Sequence, residues 1–108
     1  MSVSAEEIAH ATDLFADLGE ISTRKMMGGL CLYHRGVIFA IIHHELGLMI
    51  KGAGAFIDRL EEMGCIRWRH IRKDGKPAAM PYWTLPEEAQ DDPQAACALA
   101  REALAFLE

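Results

Sequence analysis

The sequence predicts an α+β domain. It is an antiparallel sheet of about five to six strands with three helices, in the order α-β-β-β-β-α-β-β-α. Three observations carry that reading. Apolar residues at helical spacing, each set with a start or stop signal, occur near both ends and once in the middle. Glycine-punctuated extended runs fill the stretches between them. Helices and strands do not alternate one for one, which excludes a Rossmann-like parallel sheet. At 108 residues the chain makes one domain, 1–108, and is too short for two.

The first helix starts at Ser4, whose side chain and that of Glu7 form an S-x-x-E capping box. Ile8, Ala11, Phe15 and Leu18 recur at helical spacing, and Gly19 is placed to stop the helix. Gly28-Gly29 separates two short extended pieces, Glu20–Met27 and Leu30–Arg35. Arg35-Gly36 is a hairpin turn into 37–42, an unbroken apolar run (Val-Ile-Phe-Ala-Ile-Ile) that reads as a central strand covered on both faces. Strict alternation puts Val37, Phe39 and Ile41 on one face and Ile38, Ala40 and Ile42 on the other.

His43-His44-Glu45 turns back into Leu46–Lys51, in which Leu46, Leu48 and Ile50 alternate with Met49. A second helix is expected from about Gly54 to Met63, with Phe56, Ile57, Leu60 and Met63 on one side and Gly64 ending it. Cys65–Arg72 is the next strand, and Asp74-Gly75 predicts a type I′ hairpin turn. Ala78–Leu85 returns from it. Pro77 and Pro81 lack ladder amides, so this strand is expected at an edge or short. Asp92-Pro93 opens the last helix as N-cap and N1. Its apolar side is Ala96, Leu99, Ala100, Ala103, Leu104 and Leu107.

Composition narrows the class of protein without naming an activity. Apolar residues make up 51% and charged residues 25%, a globular balance. Cys31, Cys65 and Cys97 are odd in number and widely spaced, which points to free thiols in a reducing cytoplasm. No apolar run approaches a membrane span and no signal peptide is recognisable, so no membrane association is expected. Net charge is −5, unfavourable for casual phosphate binding. That charge is segregated, however: residues 1–23 and 87–108 each sum to −5, while 64–86 sum to +4.

Each candidate site also has a plain structural role. Cys31 and His34 lie three apart on a strand and point to opposite faces, and His43 and His44 are expected to diverge. No zinc spacing results, so no metal and no cofactor are expected. The same divergence leaves no Cys–His nucleophile pair. Gly28-Gly29 lacks the surroundings of a phosphate loop and reads as a hairpin bulge. Arg67, Arg69, Arg72, Lys73 and Lys76 cluster on the predicted hairpin near Trp68, Tyr82 and Trp83. Arg67, Arg69 and Ile71 share one strand face, with Trp68 and His70 on the other. Interleaved arginine and aromatic residues fit nucleic acid, but equally fit a solvated hairpin whose Arg stems lie along apolar surface.

Several stretches together resemble the N-terminal domain of the TfoX (Sxy) family of competence regulators. They are Arg24–Tyr33 (RKMMGGLCLY), Gly36–Ile42 (GVIFAII), Leu48–Lys51 (LMIK), the Gly64 segment and Met80–Pro86 (MPYWTLP). The resemblance covers roughly residues 13–107. Met27 stands where the family usually has phenylalanine, a tolerable apolar exchange. The competence regulators carry a further C-terminal helical domain that has no counterpart in this sequence.

The resemblance implies a transcription-linked role through protein partners, including the cyclic-AMP receptor protein, and not an enzyme. Arg24, Met26, Gly28, Gly29 and Tyr33 carry over as the family signature, without individual roles. The resulting expectation is a cytoplasmic, non-enzymatic protein-interaction domain, with transcription machinery as a partner class. The alternative is a weak nucleic-acid-binding module using the basic hairpin 67–76. A homodimer is also expected, because three helices on one side would leave the second strand face uncovered.

Overall fold

A computed structural model describes residues 3–26 and 28–108. Helix α1 (Ala5–Leu14) starts at the expected capping box, with Ser4 Oγ accepting from the Glu7 amide at 3.1 Å and Glu7 Oε1 accepting from the Ser4 amide at 3.2 Å. It stops one turn before Leu18, because Phe15 closes it and Ala16–Leu18 continues as a 3-10 turn ending at Gly19. Strands β1 (Ile21–Met26), β2 (Gly29–His34), β3 (Val37–His43) and β4 (Gly47–Lys51) then form a meander. Helix α2 (Ala55–Glu62) is followed by β5 (Arg67–Ile71), β6 (Pro77–Thr84), a 3-10 turn at Glu87–Ala89 and α3 (Pro93–Leu107). Asp92 caps α3 by accepting from the Gln94 amide, with Pro93 at N1. The class and element order are those expected from sequence.

All six strands join one sheet in the order β1-β2-β3-β4-β6-β5, antiparallel at every pairing. The helices lie on one face. Ala11, Leu14, Phe56, Leu60, Ala96, Leu99, Ala100, Ala103 and Leu104 pack there with Leu30, Leu32, Phe39, Ala40, Ile42, Ile50 and Trp83. The opposite face has a smaller cluster of Cys31, Ile41, Met49 and Tyr82, bordered by Tyr33, Ile38, Trp68 and Met80.

Within the strands and their turns, the structure corrects the β3, β6 and Asp74-Gly75 readings. Strict alternation along β3 fails, because Tyr33 pairs with Ile38 while Leu32 pairs with Ala40, leaving Phe39 as an extra residue. This β-bulge puts Phe39 and Ala40 both on the helix side and moves Ile41 to join Ile38 on the other.

β6 is neither short nor at an edge: it has eight residues and lies between β4 and β5. Its prolines are tolerated because β4 pairs only with Tyr82–Thr84, while the β5 ladder breaks between Trp83 and Ala79. Pro81 falls in that break, where no ladder amide is required, and its carbonyl accepts from the Gly52 amide at 3.0 Å.

The Asp74-Gly75 turn is not type I′, which needs two positive φ values. Gly75 has φ 83 and Asp74 is not among the positive-φ residues. The Gly75 amide donates to the Arg72 carbonyl and the Arg72 amide to that of Lys76, giving a three-residue loop with a glycine bulge. Arg35-Gly36, by contrast, has φ 51 and 81 and is a two-residue hairpin turn.

Candidate functional site

The helix-free face is built from alternate residues of the strands. Directly paired residues in an antiparallel ladder share a face. Pairing of Arg24 with Cys31 and of Met26 with Gly29 therefore places Arg24 and Met26 there. Cys31 packs with Ile41, which pairs with Met49, and Lys51 pairs with Tyr82. Trp68 and His70 come from β5, with ring centroids 5.9 Å apart. Met49 is fully buried and Cys31 and Ile41 nearly so without any helix above them. Flanking Tyr33, Ile38, Trp68 and Met80 fold over them.

At one end this face opens into a pocket of about 370 Å³ lined by Met26, Cys31, His43, His44, Trp68 and Tyr82, among others. Sequence reasoning missed its most polar feature. His43 and His44 do not diverge; the turn after β3 stacks their rings with centroids 4.5 Å apart. The edge of His43 meets Trp68 at 4.7 Å, and Tyr82 lies 6.1 Å beyond Trp68. His43 Nδ1 accepts the amides of Glu45 and Leu46, at 3.0 and 3.1 Å. A neutral His43 therefore carries its proton on Nε2. Burial and the neighbouring His44 hold the His43 pKa below its ordinary value, against a smaller upward pull from Glu45. Burial, then Cys31 and Tyr33, push the Tyr82 phenol up.

The residues singled out from sequence fall into separate places. Arg24 and Met26 flank the pocket side of the sheet, both exposed, and Tyr33 is half-buried on the same face. Gly28 takes φ 82 at the β1–β2 turn. Gly29 is required sterically, because a Cβ there would sit 2.5 Å from the Ile42 carbonyl oxygen. Both glycines are thus structural, as a hairpin reading requires.

The five cations of the 67–76 hairpin do not converge. Arg67 turns to the helix side, where its guanidinium lies 4.4 Å over the Trp83 ring and its Nε donates to the Met80 carbonyl at 2.9 Å. Arg72 pairs with Asp74 at 3.4 Å. Arg69, Lys73 and Lys76 are exposed. Trp68 faces away from Arg67, as alternation predicts.

The cysteines serve packing. Cys31 contacts Met26 at 3.9 Å between sulfurs, and Cys97 donates to the Leu14 carbonyl at 3.4 Å. Burial raises the Cys65 thiol, reinforced by Glu88 and Glu61, and burial also raises Cys97. His34 lies on the helix side, 3.4 Å from Glu108 and away from Cys31. Among the described residues, no helix is long and apolar enough to cross a membrane.

Residues 13–107 match the TfoX N-terminal domain family, and the chain belongs to that family. It is also 26% identical over 108 residues to DNA transformation protein TfoX1 of Aliivibrio fischeri. That alignment covers 96% of this chain and 51% of the relative, so the chain spans about half of the relative's length.

Proposed function

We propose that this member of the TfoX N-terminal domain family is a cytoplasmic, non-enzymatic interaction domain acting in the regulation of DNA transformation through a protein partner. One observation carries the reading: the sheet has helices on one face only, leaving an apolar and aromatic face bordered by half-buried Tyr33, Ile38, Trp68 and Met80. Partly exposed apolar and aromatic side chains on a face without helices suit an interaction site. The name of the Aliivibrio fischeri relative supplies the process. Two of the three thiols support the non-enzymatic part, since burial raises Cys65 and Cys97, opposite to an activated nucleophile.

The test is deletion of the gene in its own host, followed by transcript profiling and measurement of transformation frequency. Restoration by the unaltered chain but not by Ile38→Glu, which charges the outer face away from the pocket, is expected. A deletion that leaves DNA-uptake transcripts and transformation unchanged under inducing conditions overturns the proposal.

Self-association as a homodimer belongs to the same reading. β1 and β5 are the two sheet edges, and exposed Met26, Ile66 and Ile71 lie on or beside them. Sedimentation equilibrium is expected to give twice the 12.0 kDa monomer mass. A monomer persisting at ~100 µM, where even weak interfaces assemble, refutes it.

A further inference from the structure

We infer that the pocket between Met26, His43 and Trp68 is a nucleobase site, taking the ring of a nucleotide with its phosphate toward Arg24 or Lys51. Shape comes first. A volume of about 370 Å³ falls in the usual range for small-ligand pockets, roughly 300–1,000 Å³. The walls are flat: Trp68, Tyr82 and the stacked His43–His44 pair present ring faces and edges to the same space. Planar π-systems stack on such surfaces regardless of base identity.

Two residues lining the space, Tyr82 and His43, offer hydrogen-bond donors to it. Tyr82 is only 9% exposed and its hydroxyl has no hydrogen-bond partner among the described residues. Because no buried side-chain oxygen is left wholly enclosed and unpaired, this hydroxyl must look into open space, and Tyr82 lines the pocket. His43 has its Nδ1 occupied and offers Nε2–H. Such a set suits a ring bearing carbonyl or ring-nitrogen acceptors.

Charge gives the remaining part of the ligand. Every one of the 16 Asp and Glu side chains lies outside the six strands, which carry Arg24, Lys25, Lys51, Arg67 and Arg69. Arg24 sits across the ladder from Cys31, and Lys51 sits across from Tyr82. Neither forms an ion pair among the described residues. The acidic side chain closest in sequence to the stacked pair, Glu45, bonds to His44 at 3.1 Å. The chain's overall negative charge is thus carried by helices and turns, and an anion approaching this face meets cations.

This site differs from the basic hairpin. Arg67 is spent on Trp83 and Met80, and Arg72 on Asp74. The nucleobase can come as a free mononucleotide or as part of a single strand, since the pocket reads one ring and one phosphate.

Binding is tested with AMP, GMP, CMP and UMP, with twelve-nucleotide single strands of DNA and RNA, and with the matching duplexes. The readouts are Trp68 fluorescence in Trp83→Phe, whose only remaining indole is Trp68, and the Trp68 indole N–H resonance in the unsubstituted chain. Saturable quenching is expected, weakened about fivefold by Tyr82→Phe, the effect of one lost hydrogen bond. Arg24→Gln and Lys51→Gln are expected to weaken it and flatten its salt dependence. Lys73→Gln with Lys76→Gln is expected to leave it unchanged.

Equal affinity for mononucleotides and strands assigns the free nucleotide, and tighter, more salt-dependent binding of single strands assigns the polymer. The inference is overturned by an unmoved Trp68 resonance at ~10 mM nucleotide, a concentration above even millimolar dissociation constants. It is equally overturned by binding that survives Tyr82→Phe and Arg24→Gln, by preference for duplex, or by loss of binding in the hairpin double variant.

Discussion

Trp83→Phe is expected to cost about 1.5–3 kcal/mol of stability while leaving the fold intact. Trp83 is fully buried and joins three parts of the molecule. Its Nε1 donates to Glu61 of α2 at 2.9 Å, its ring lies under the Arg67 guanidinium, and its six-membered ring occupies the space above Gly52. Phenylalanine keeps one ring, so the loss is smaller than the ~3–5 kcal/mol of full truncation to alanine. The vacated ring accounts for most of it, about 1–2 kcal/mol of lost burial and cavity. The hydrogen bond adds about 0.5–1 kcal/mol, at the low end because exposed Glu61 can recover water. Urea unfolding followed by far-UV circular dichroism, with m unchanged, measures the difference. A double-mutant cycle with Glu61→Ala isolates the hydrogen bond. A loss below ~0.5 kcal/mol, the scale of an ordinary surface change, refutes the placement of Trp83 as a keystone between sheet and α2.

Gly29→Ala is expected to destabilise by about 1–3 kcal/mol, because its Cβ would meet the Ile42 backbone oxygen at 2.5 Å, which no side-chain rotation relieves; unfolding midpoints measure it, and a neutral change refutes the close approach. Asp92→Ala is expected to cost about 1 kcal/mol by removing the cap of α3, and Asp92→Asn far less. Stability is expected to fall as pH drops below the ordinary histidine value of 6.5, since the folded state holds His43 neutral while the unfolded chain protonates it. The contribution is fully present above 6.5 and is lost through the lower folded pKa. His43→Gln abolishes that part of the pH dependence, and an unaltered slope between pH 6.5 and 5 counts against it.

Local chemistry makes much of the fold legible in the sequence. The Ser4–Glu7 box, the Asp92-Pro93 start and the Arg35-Gly36 turn are decided within four residues, and each is present. What escapes a sequence reading depends on contacts made elsewhere. A run of six apolar residues contains no polar marker of phase, so the extra residue at Phe39 leaves no trace in the sequence. Pro77 and Pro81 argue for an edge. The broken ladder that accommodates Pro81 forms only in the assembled sheet, where the β4 pairing stops at Tyr82 and the β5 pairing skips from Trp83 to Ala79. The stacked histidines straddle the end of β3, and the turn that follows decides their directions. The pocket draws Met26, Cys31, His43, Trp68 and Tyr82 from five strands, and no local spacing links them. One signal is present locally: Trp68 and His70 on the face opposite Arg67.

The Phe39 bulge connects these points into one physical account of the outer face. With strict alternation, Phe39 and Ile41 would lie together, and Ala40 and Ile42 would join Ile38. The bulge instead gives the helices Phe39, Ala40 and Ile42, so Phe39 meets Phe15 edge-on at 5.1 Å. Ile41 is left beside Cys31 and Met49 on the other side. The same phase carries His43 to the outer face two residues later, beside Trp68. A bulge also increases local twist, which suits a sheet whose flanking side chains close over Met49 without a covering helix. Deleting Phe39 would remove the extra residue and leave the pairing regular, with every remaining β3 residue on its present face. What the helix-side core would lose is the Phe39 ring against Phe15. The irregularity in β3 is therefore what lets this apolar run give Phe39 to the packed core without taking Ile41 and His43 from the helix-free face.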